Sequence, residues 1–205
     1  ELKKKIAQIK NVRPSQIMLG NGSDEPIDLI VRIFCEPKQD NIVAIAPTYG
    51  MYEVCANVND VEYRKVLLNE DFSLNANLVL EAIDDCTKVV FLCSPNNPTG
   101  NLLKRNEMLK IINGFQGIVV IDEAYIDFAS SKPDTLQYVK QGKNVILLRT
   151  FSKAYGLAGL RAGYAITTPE IADLLNKART PFNMNLVAQA ATVAALDDSE
   201  HLEAS

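Results

Sequence analysis

The chain has 205 residues, of which 47% are hydrophobic and 22% charged, enough to bury roughly 70% of its unfolded surface in one large domain without disulfides or metals. Its formal net charge of −4 argues against a nucleic-acid partner, because such domains gather a basic excess on one face. The single histidine, His201, and the scattered Cys35, Cys55, Cys86 and Cys93 leave zinc sites and Ser-His or Cys-His catalysis without their usual parts, and the cysteines read as reduced, buried, small hydrophobes.

From the N-terminus, Lys3-Lys4-Lys5 reads as the solvated face of a helix. Ile17-Met18-Leu19 then runs into Gly20-Asn21-Gly22-Ser23-Asp24-Glu25, and an amphipathic helix is expected to begin near Pro26, with Ile27, Ile30 and Phe34 at i, i+3 and i+7. Four apolar runs without alternation follow: Ile42–Ala46, Lys88–Cys93, Gly117–Ile121 and Val145–Leu148. Such runs are strands buried on both faces, as in mostly parallel sheets covered by helices. A helical stretch carrying Leu102, Leu103, Met108, Leu109, Ile111 and Ile112 ends near Gly114, and the alanine-rich tail from Ala188 to Ser205 is helix-like. Strand and helix signals in alternation predict a layered α/β architecture with right-handed crossovers and no domain boundary before about residue 165. No run approaches the ~18 apolar residues of a membrane span, and no signal-peptide pattern opens the chain, so a cytoplasmic protein with no membrane partner is expected.

In an open α/β sheet the loops leaving the carboxyl ends of the strands are where ligands bind. Four such loops carry chemistry here. Gly20 to Glu25 presents free N–H groups at a helix start, which suits a phosphate, with Ser23 as the helix cap; taken alone it reads more readily as a capped helix with no ligand, since caps far outnumber anion sites, and it matches neither the dinucleotide nor the P-loop glycine pattern. Asp122, ending an apolar run, is a carboxylate whose burial calls for a metal, a backbone nest or a protonated ring nitrogen, unless it serves as a plain helix cap. Metal binding is disfavoured, because the neighbouring Glu123 points to the opposite face. Lys153, in Thr150-Phe151-Ser152-Lys153, can form a Schiff base with an aldehyde. Pyridoxal 5'-phosphate needs such a lysine, an acid opposite its pyridine nitrogen and a phosphate pocket. Asn97, in Ser94-Pro95-Asn96-Asn97-Pro98-Thr99-Gly100, and Tyr125, in Asp122-Glu123-Ala124-Tyr125, can hydrogen-bond the ring oxygen, and Tyr49 can stack on the ring.

In this order the segments GNGSDE (Gly20–Glu25), PTYGMY (Pro47–Tyr52), SPNNPTG (Ser94–Gly100), DEAY (Asp122–Tyr125) and TFSKAYGLAGLRAG (Thr150–Gly163) resemble the pyridoxal-phosphate aminotransferases of the aspartate aminotransferase fold type, and among them the histidinol-phosphate aminotransferases. The resemblance implies a three-layer α/β/α large domain with a mostly parallel central sheet over residues 1–205. It also implies Lys153 as the covalent anchor and proton shuttle, Asp122 at the pyridine nitrogen, Asn97 and Tyr125 at the ring oxygen, and Tyr49 on the ring face. The phosphate falls to the N–H groups of Ser23 and Asp24, the hydroxyls of Thr150 and Ser152, and Arg161. The implied reaction moves an amino group between histidinol phosphate and 2-oxoglutarate, giving glutamate and imidazole acetol phosphate, in histidine biosynthesis and in a homodimer. An N-terminal arm before Glu1 and a small domain after Ser205, which in the family carries the arginine for the substrate carboxylate, are expected to lie outside this sequence, so that the segment binds cofactor but transaminates poorly. Two other readings stand beside this one. The first keeps the cofactor in an aromatic aminotransferase or a carbon-sulfur lyase, and the second is a non-catalytic aminotransferase-like sensor domain.

Overall fold

The computed structural model describes residues 1–205. Its strands are β1 (Ile17–Asn21), β2 (Asn41–Ala46), β3 (Glu62–Leu67), β4 (Thr87–Cys93), β5 (Ile118–Asp122), β6 (Val145–Thr150) and β7 (Ala162–Ile166). Its helices are α1 (Leu2–Lys10), α2 (Asp24–Phe34), α3 (Met51–Val58), α4 (Ala76–Glu81), α5 (Arg105–Gly114), α6 (Leu136–Lys140), α7 (Pro169–Ala178), α8 (Leu186–Ala195) and α9 (Ser199–Ala204). The strands form one sheet in the order β1-β7-β6-β5-β4-β2-β3. β7 runs antiparallel to both of its neighbours, and all other pairings are parallel.

The apolar runs lack alternation because both faces of the sheet are covered. Side chains of a strand point alternately to opposite faces, and here each face meets its own core. Val90 and Leu92 of β4, with Val119 and Ile121 of β5, pack against α1, α4, α5, α6 and α8. Val89, Phe91, Val120 and Ile146 pack against α2, α3 and α7. The result is the expected three-layer arrangement. None of its helices is long and apolar enough to cross a membrane.

Two strands had no expectation attached to them. β3 is an edge strand of sequence Glu-Tyr-Arg-Lys-Val-Leu, whose Arg64 pairs with Glu62 and Asp84; charge on an edge strand blunts pairing with other chains and hides the apolar signal. β7, Ala-Gly-Tyr-Ala-Ile, is fully buried, but three of its five residues are Ala or Gly and break the apolar run. Its Gly163 answers a packing demand, since a Cβ there would lie 2.4 Å from the carbonyl carbon of Gly22. The bare backbone lets the β1–α2 loop lie directly on β7.

Other expectations change in detail. α2 begins at Asp24 rather than near Pro26; the missing N–H of Pro26 falls among first-turn donors that have no helical partner anyway. Ser23 occupies the cap position but its side chain makes no capping bond, while Glu25 Oε2 accepts from the Asn21 N–H at 2.6 Å. Ile27 and Ile30 are fully buried, whereas Phe34 is only half-buried. Cys35, Cys55 and Cys93 are buried as expected, but Cys86 is exposed, because it sits in the turn between α4 and β4. Lys5 is tied to Asp197 and to the carbonyl of Val193 (2.9 Å), joining α1 to the tail instead of standing free in solvent. The tail is two helices, interrupted where the Asp198 carboxylate caps α9 through the His201 N–H at 3.0 Å.

Candidate active site

The chain runs outward from β2 to β3, then returns past β2 to build β4, β5, β6 and β7. The strand order therefore reverses between β2 and β4, and a crevice opens outside the carboxyl ends of the strands there. Every site residue expected from the sequence lines one cleft at this end: Ser23, Asp24, Tyr49, Asn97, Asp122, Tyr125, Thr150, Ser152, Lys153 and Arg161, joined by Cys93 and Ala124. A second hollow, between the loops after β4 and β5, shares Asn97 and Tyr125 with this cleft and is bounded by Leu102 and Phe128.

The floor is Asp122, 2% exposed. Its Oδ1 accepts from the Ala124 N–H at 3.0 Å and its Oδ2 from the Tyr52 hydroxyl at 2.7 Å. No cation pairs with it. Burial pushes its carboxyl up to about 6, helped by the negative charges of Asp24 and Glu123 and opposed by the two hydrogen bonds. A buried carboxylate without a cation is costly, and a protonated nitrogen entering the cleft would supply the missing charge. Glu123 points to the other side of the sheet, as expected. There it is 1% exposed, with its Oε2 accepting from Arg149 Nη2 (2.7 Å) and Nε (2.9 Å) and its Oε1 from the Thr135 hydroxyl (2.5 Å).

The wall after β6 carries Lys153. Its amine lies 5.1 Å from the centroid of the Tyr125 ring, and no carboxylate forms an ion pair with it. The Thr150 hydroxyl donates to the Ala162 carbonyl (3.3 Å) and accepts from the Ser152 N–H (3.1 Å), so it shapes the turn that presents Ser152 and Lys153. The Ser152 hydroxyl is buried and has no partner. Opposite it, the N–H groups of Ser23 and Asp24 open α2, where no helical acceptor exists for them. Gly22 takes φ 74°, and a Cβ there would lie 2.7 Å from Arg161 Nη2. Arg161 itself adopts φ 51°, and its carbonyl accepts from the Gly22 N–H at 2.9 Å. Its Nη2 donates to Asp24 Oδ2 at 3.1 Å and its Nη1 to the Ala158 carbonyl at 3.2 Å. With both side chains partly exposed, the Arg161–Asp24 pair contributes little and can open toward another anion.

An orphaned buried hydroxyl, free N–H groups at a helix start and an arginine together fit a phosphate. Asp122 at the far end fits a ring nitrogen, and Lys153 fits an aldehyde. Tyr49 donates to Asp24 Oδ1 at 2.9 Å. Two residues escaped the sequence reading. Tyr52 lies in the quoted segment three positions after Tyr49, in the first turn of α3 while Tyr49 sits in the loop before it, but its bond to Asp122 depends on how α3 packs against the sheet. Asn96, 2% exposed, ties the loop after β4 together by accepting from the Thr48 hydroxyl (2.8 Å) and donating to the Pro47 carbonyl (2.9 Å), which leaves Asn97 as the amide on the cleft. No group of three His, Cys, Asp or Glu side chains is placed to hold a metal ion.

Among curated relatives, a histidinol-phosphate aminotransferase of Bacteroides fragilis is 55% identical over 189 residues, covering 92% of this chain and 54% of the relative. That of Parabacteroides distasonis is 54% identical over 198 residues, covering 97% and 57%. The chain thus spans about half the length of the curated relatives it matches. Among solved structures, the histidinol-phosphate aminotransferase of Sinorhizobium meliloti in complex with pyridoxal-5'-phosphate superposes with TM-score 0.91 at 30% identity, over 99% of this chain and 56% of that one. An aspartate aminotransferase variant of Thermus thermophilus shares the fold, with TM-score 0.90 at 21% identity over 99% of this chain and 59% of that one. Residues 1–205 match the family described as aminotransferase class I and II, and the chain belongs to that family.

Proposed function

We propose that this chain is the cofactor-binding large domain of a pyridoxal-phosphate-dependent aminotransferase that transfers an amino group between histidinol phosphate and 2-oxoglutarate. The observation that carries the reading is the placement of an uncompensated buried carboxylate, Asp122, and an unpaired amine, Lys153, on one cleft whose other end holds unsatisfied phosphate donors. When bound, pyridoxal phosphate supplies an aldehyde for covalent capture and a ring that withdraws electrons from the substrate carbon. Lys153 would anchor the aldehyde and, once released, take the proton from the substrate carbon bearing the amino group and carry it across to the cofactor, the transfer that distinguishes amino-group exchange from simple racemisation. Asp122 holds a proton at the ring nitrogen, which in turn offsets the charge buried at Asp122. Asn97 and Tyr125 orient the ring oxygen, and Tyr49 covers the ring face. Ser152, Arg161 and the N–H groups of Ser23 and Asp24 grip the phosphate, with Thr150 fixing the turn beneath them.

The substrate assignment is supported by the names of the curated relatives. The hollow bounded by Leu102 and Phe128 gives a substrate room beside Asn97 and Tyr125. The functional unit is proposed to be a cytoplasmic homodimer, a state that light scattering on the loaded protein measures. Adding pyridoxal phosphate should produce a visible absorbance band and raise the melting temperature, and Lys153→Ala should abolish the band; native protein without a band would overturn the cofactor reading. Turnover belongs in a polypeptide spanning the full length of the relatives. Faster transfer from aromatic amino acids, or elimination from cystathionine, than transfer from histidinol phosphate would overturn the substrate reading alone.

A further inference from the structure

Tyr52 is fully buried beneath the cleft. Its ring stacks on Phe91 of β4, with centroids 4.7 Å apart and planes 18° from parallel, and meets Tyr49 edge-on at 5.7 Å. Held on these sides, the phenol has little freedom to swing away from Asp122. β4 and β5 place Cys93 beside Asp122 in register, so the stack and the acid share one rigid stretch of sheet. We propose that Tyr52 is a positioning residue of this site. Its hydroxyl, donating to Oδ2 of Asp122 at 2.7 Å, keeps that carboxylate anionic and fixes its plane toward the ring nitrogen of bound pyridoxal phosphate. The inference rests on the role assigned to Asp122 above.

The position of one proton sets the charge of the ring and of Asp122. It can sit on the ring nitrogen, facing an anionic Asp122, or move to the carboxylate and leave the ring neutral. The groups around Asp122 mostly favour the second arrangement. Burial, Asp24 at the start of α2 and Glu123 beside it on the chain all raise the carboxyl. The Cys93 thiol on β4 is pushed up to about 12 by burial and stays neutral; Tyr49 from the β2–α3 loop is raised by burial and by its bond to Asp24, and is likewise neutral. Lys153 lies on the same cleft and is the one cation there besides Arg161. Two donors oppose the neighbours, the Ala124 N–H and the Tyr52 hydroxyl. The first belongs to the backbone and is present whatever the side chain. The second is specific to Tyr52, whose hydroxyl is itself held well above its usual range by burial and by the charge of Asp122, so it keeps the proton that it donates. Each donor also occupies a different carboxylate oxygen, which fixes the rotation of the group as well as its charge.

The test is Tyr52→Phe in the pyridoxal-phosphate-loaded protein, a change that keeps the ring, its volume and its stack on Phe91. The expected results are retention of the fold by circular dichroism and roughly tenfold weaker cofactor binding, the loss of one hydrogen bond to a charged group. The pH midpoint of the visible band should move upward, on the order of one pH unit, because a ring with less positive charge leaves the nitrogen of Lys153 more basic. In an Asp122→Asn background, where no anion remains to be held, the same replacement should leave the midpoint unmoved. A native band with an unmoved or lowered midpoint in Tyr52→Phe, or an equal shift in the Asp122→Asn background, would overturn the role of Tyr52. Absence of any band in the native protein would overturn the cofactor assignment itself, and this inference with it.

Discussion

Replacing Asp122 by asparagine should stabilise the cofactor-free protein at neutral pH while destroying its use for the cofactor. Burial raises the carboxyl to about 6, against an ordinary value near ~3.9, and the difference corresponds to about 3 kcal/mol carried against folding by the ionised form. Because the folded-state value lies above the unfolded one, the folded chain binds this proton more tightly. The associated stability is fully present below about pH 4 and is lost as pH rises through about 6. Asparagine removes the charge but has one oxygen where two donors converge, the Tyr52 hydroxyl and the Ala124 N–H. Leaving one of them poorly met returns about 1–2 kcal/mol of the gain. The net expectation is a variant about 1–2 kcal/mol more stable at pH 7.5, with the advantage gone at about pH 4. Urea unfolding at both pH values, with unchanged dependence on denaturant, reads this directly. With pyridoxal phosphate bound the order should reverse, since the native protein then gains a compensated charge. A cofactor-free Asp122→Asn protein that is the less stable one at pH 7.5, or a difference between the two proteins that does not change with pH, would show that Asp122 carries no such burial cost.

Two further perturbations probe the frame around the site. Glu123→Gln leaves Arg149 largely buried without its carboxylate, and should cost about 3–5 kcal/mol in chemical denaturation, most of it recovered when Arg149 is also replaced by Met; a loss below ~1 kcal/mol would show the pair to be solvated. Gly163→Ala puts a methyl group 2.4 Å from the Gly22 backbone and should lift the β1–α2 loop, at an overpacking cost of about 1–3 kcal/mol. Weaker binding of pyridoxal phosphate with unchanged helix content is the expected titration result, and native affinity would remove this loop from the phosphate site.

What the sequence made legible follows from which forces act locally. Val89 to Cys93 and Ile118 to Ile121 read as doubly buried strands because nothing polar interrupts them, and both faces are indeed covered. β3 escaped because Glu62, Arg64 and Lys65 face solvent at a sheet edge, and β7 because Gly163 answers a contact with Gly22 that is remote in sequence. Most of the cleft residues were legible because they end or follow a strand, and parallel strands bring their carboxyl ends together; Arg161, just before β7, was legible only through the motif that carries it. The partners of those residues were not. Tyr52 reaches Asp122 across the packing of α3 on the sheet, Arg161 finds Asp24 far away along the chain, and the Ser23 hydroxyl declines the cap its position suggests. Side chains that point along one element can be read from that element; hydrogen bonds between layers are fixed only when the layers meet.

Lys153 is the residue proposed to carry pyridoxal phosphate. Borohydride reduction of the loaded protein makes that attachment permanent, and mass spectrometry of the digested chain then locates it. A single modified peptide containing Lys153 is expected, its label lost in Lys153→Ala and diminished in Arg161→Lys. Label spread over exposed lysines such as Lys38 and Lys177, or retained at full yield in Lys153→Ala, would contradict it.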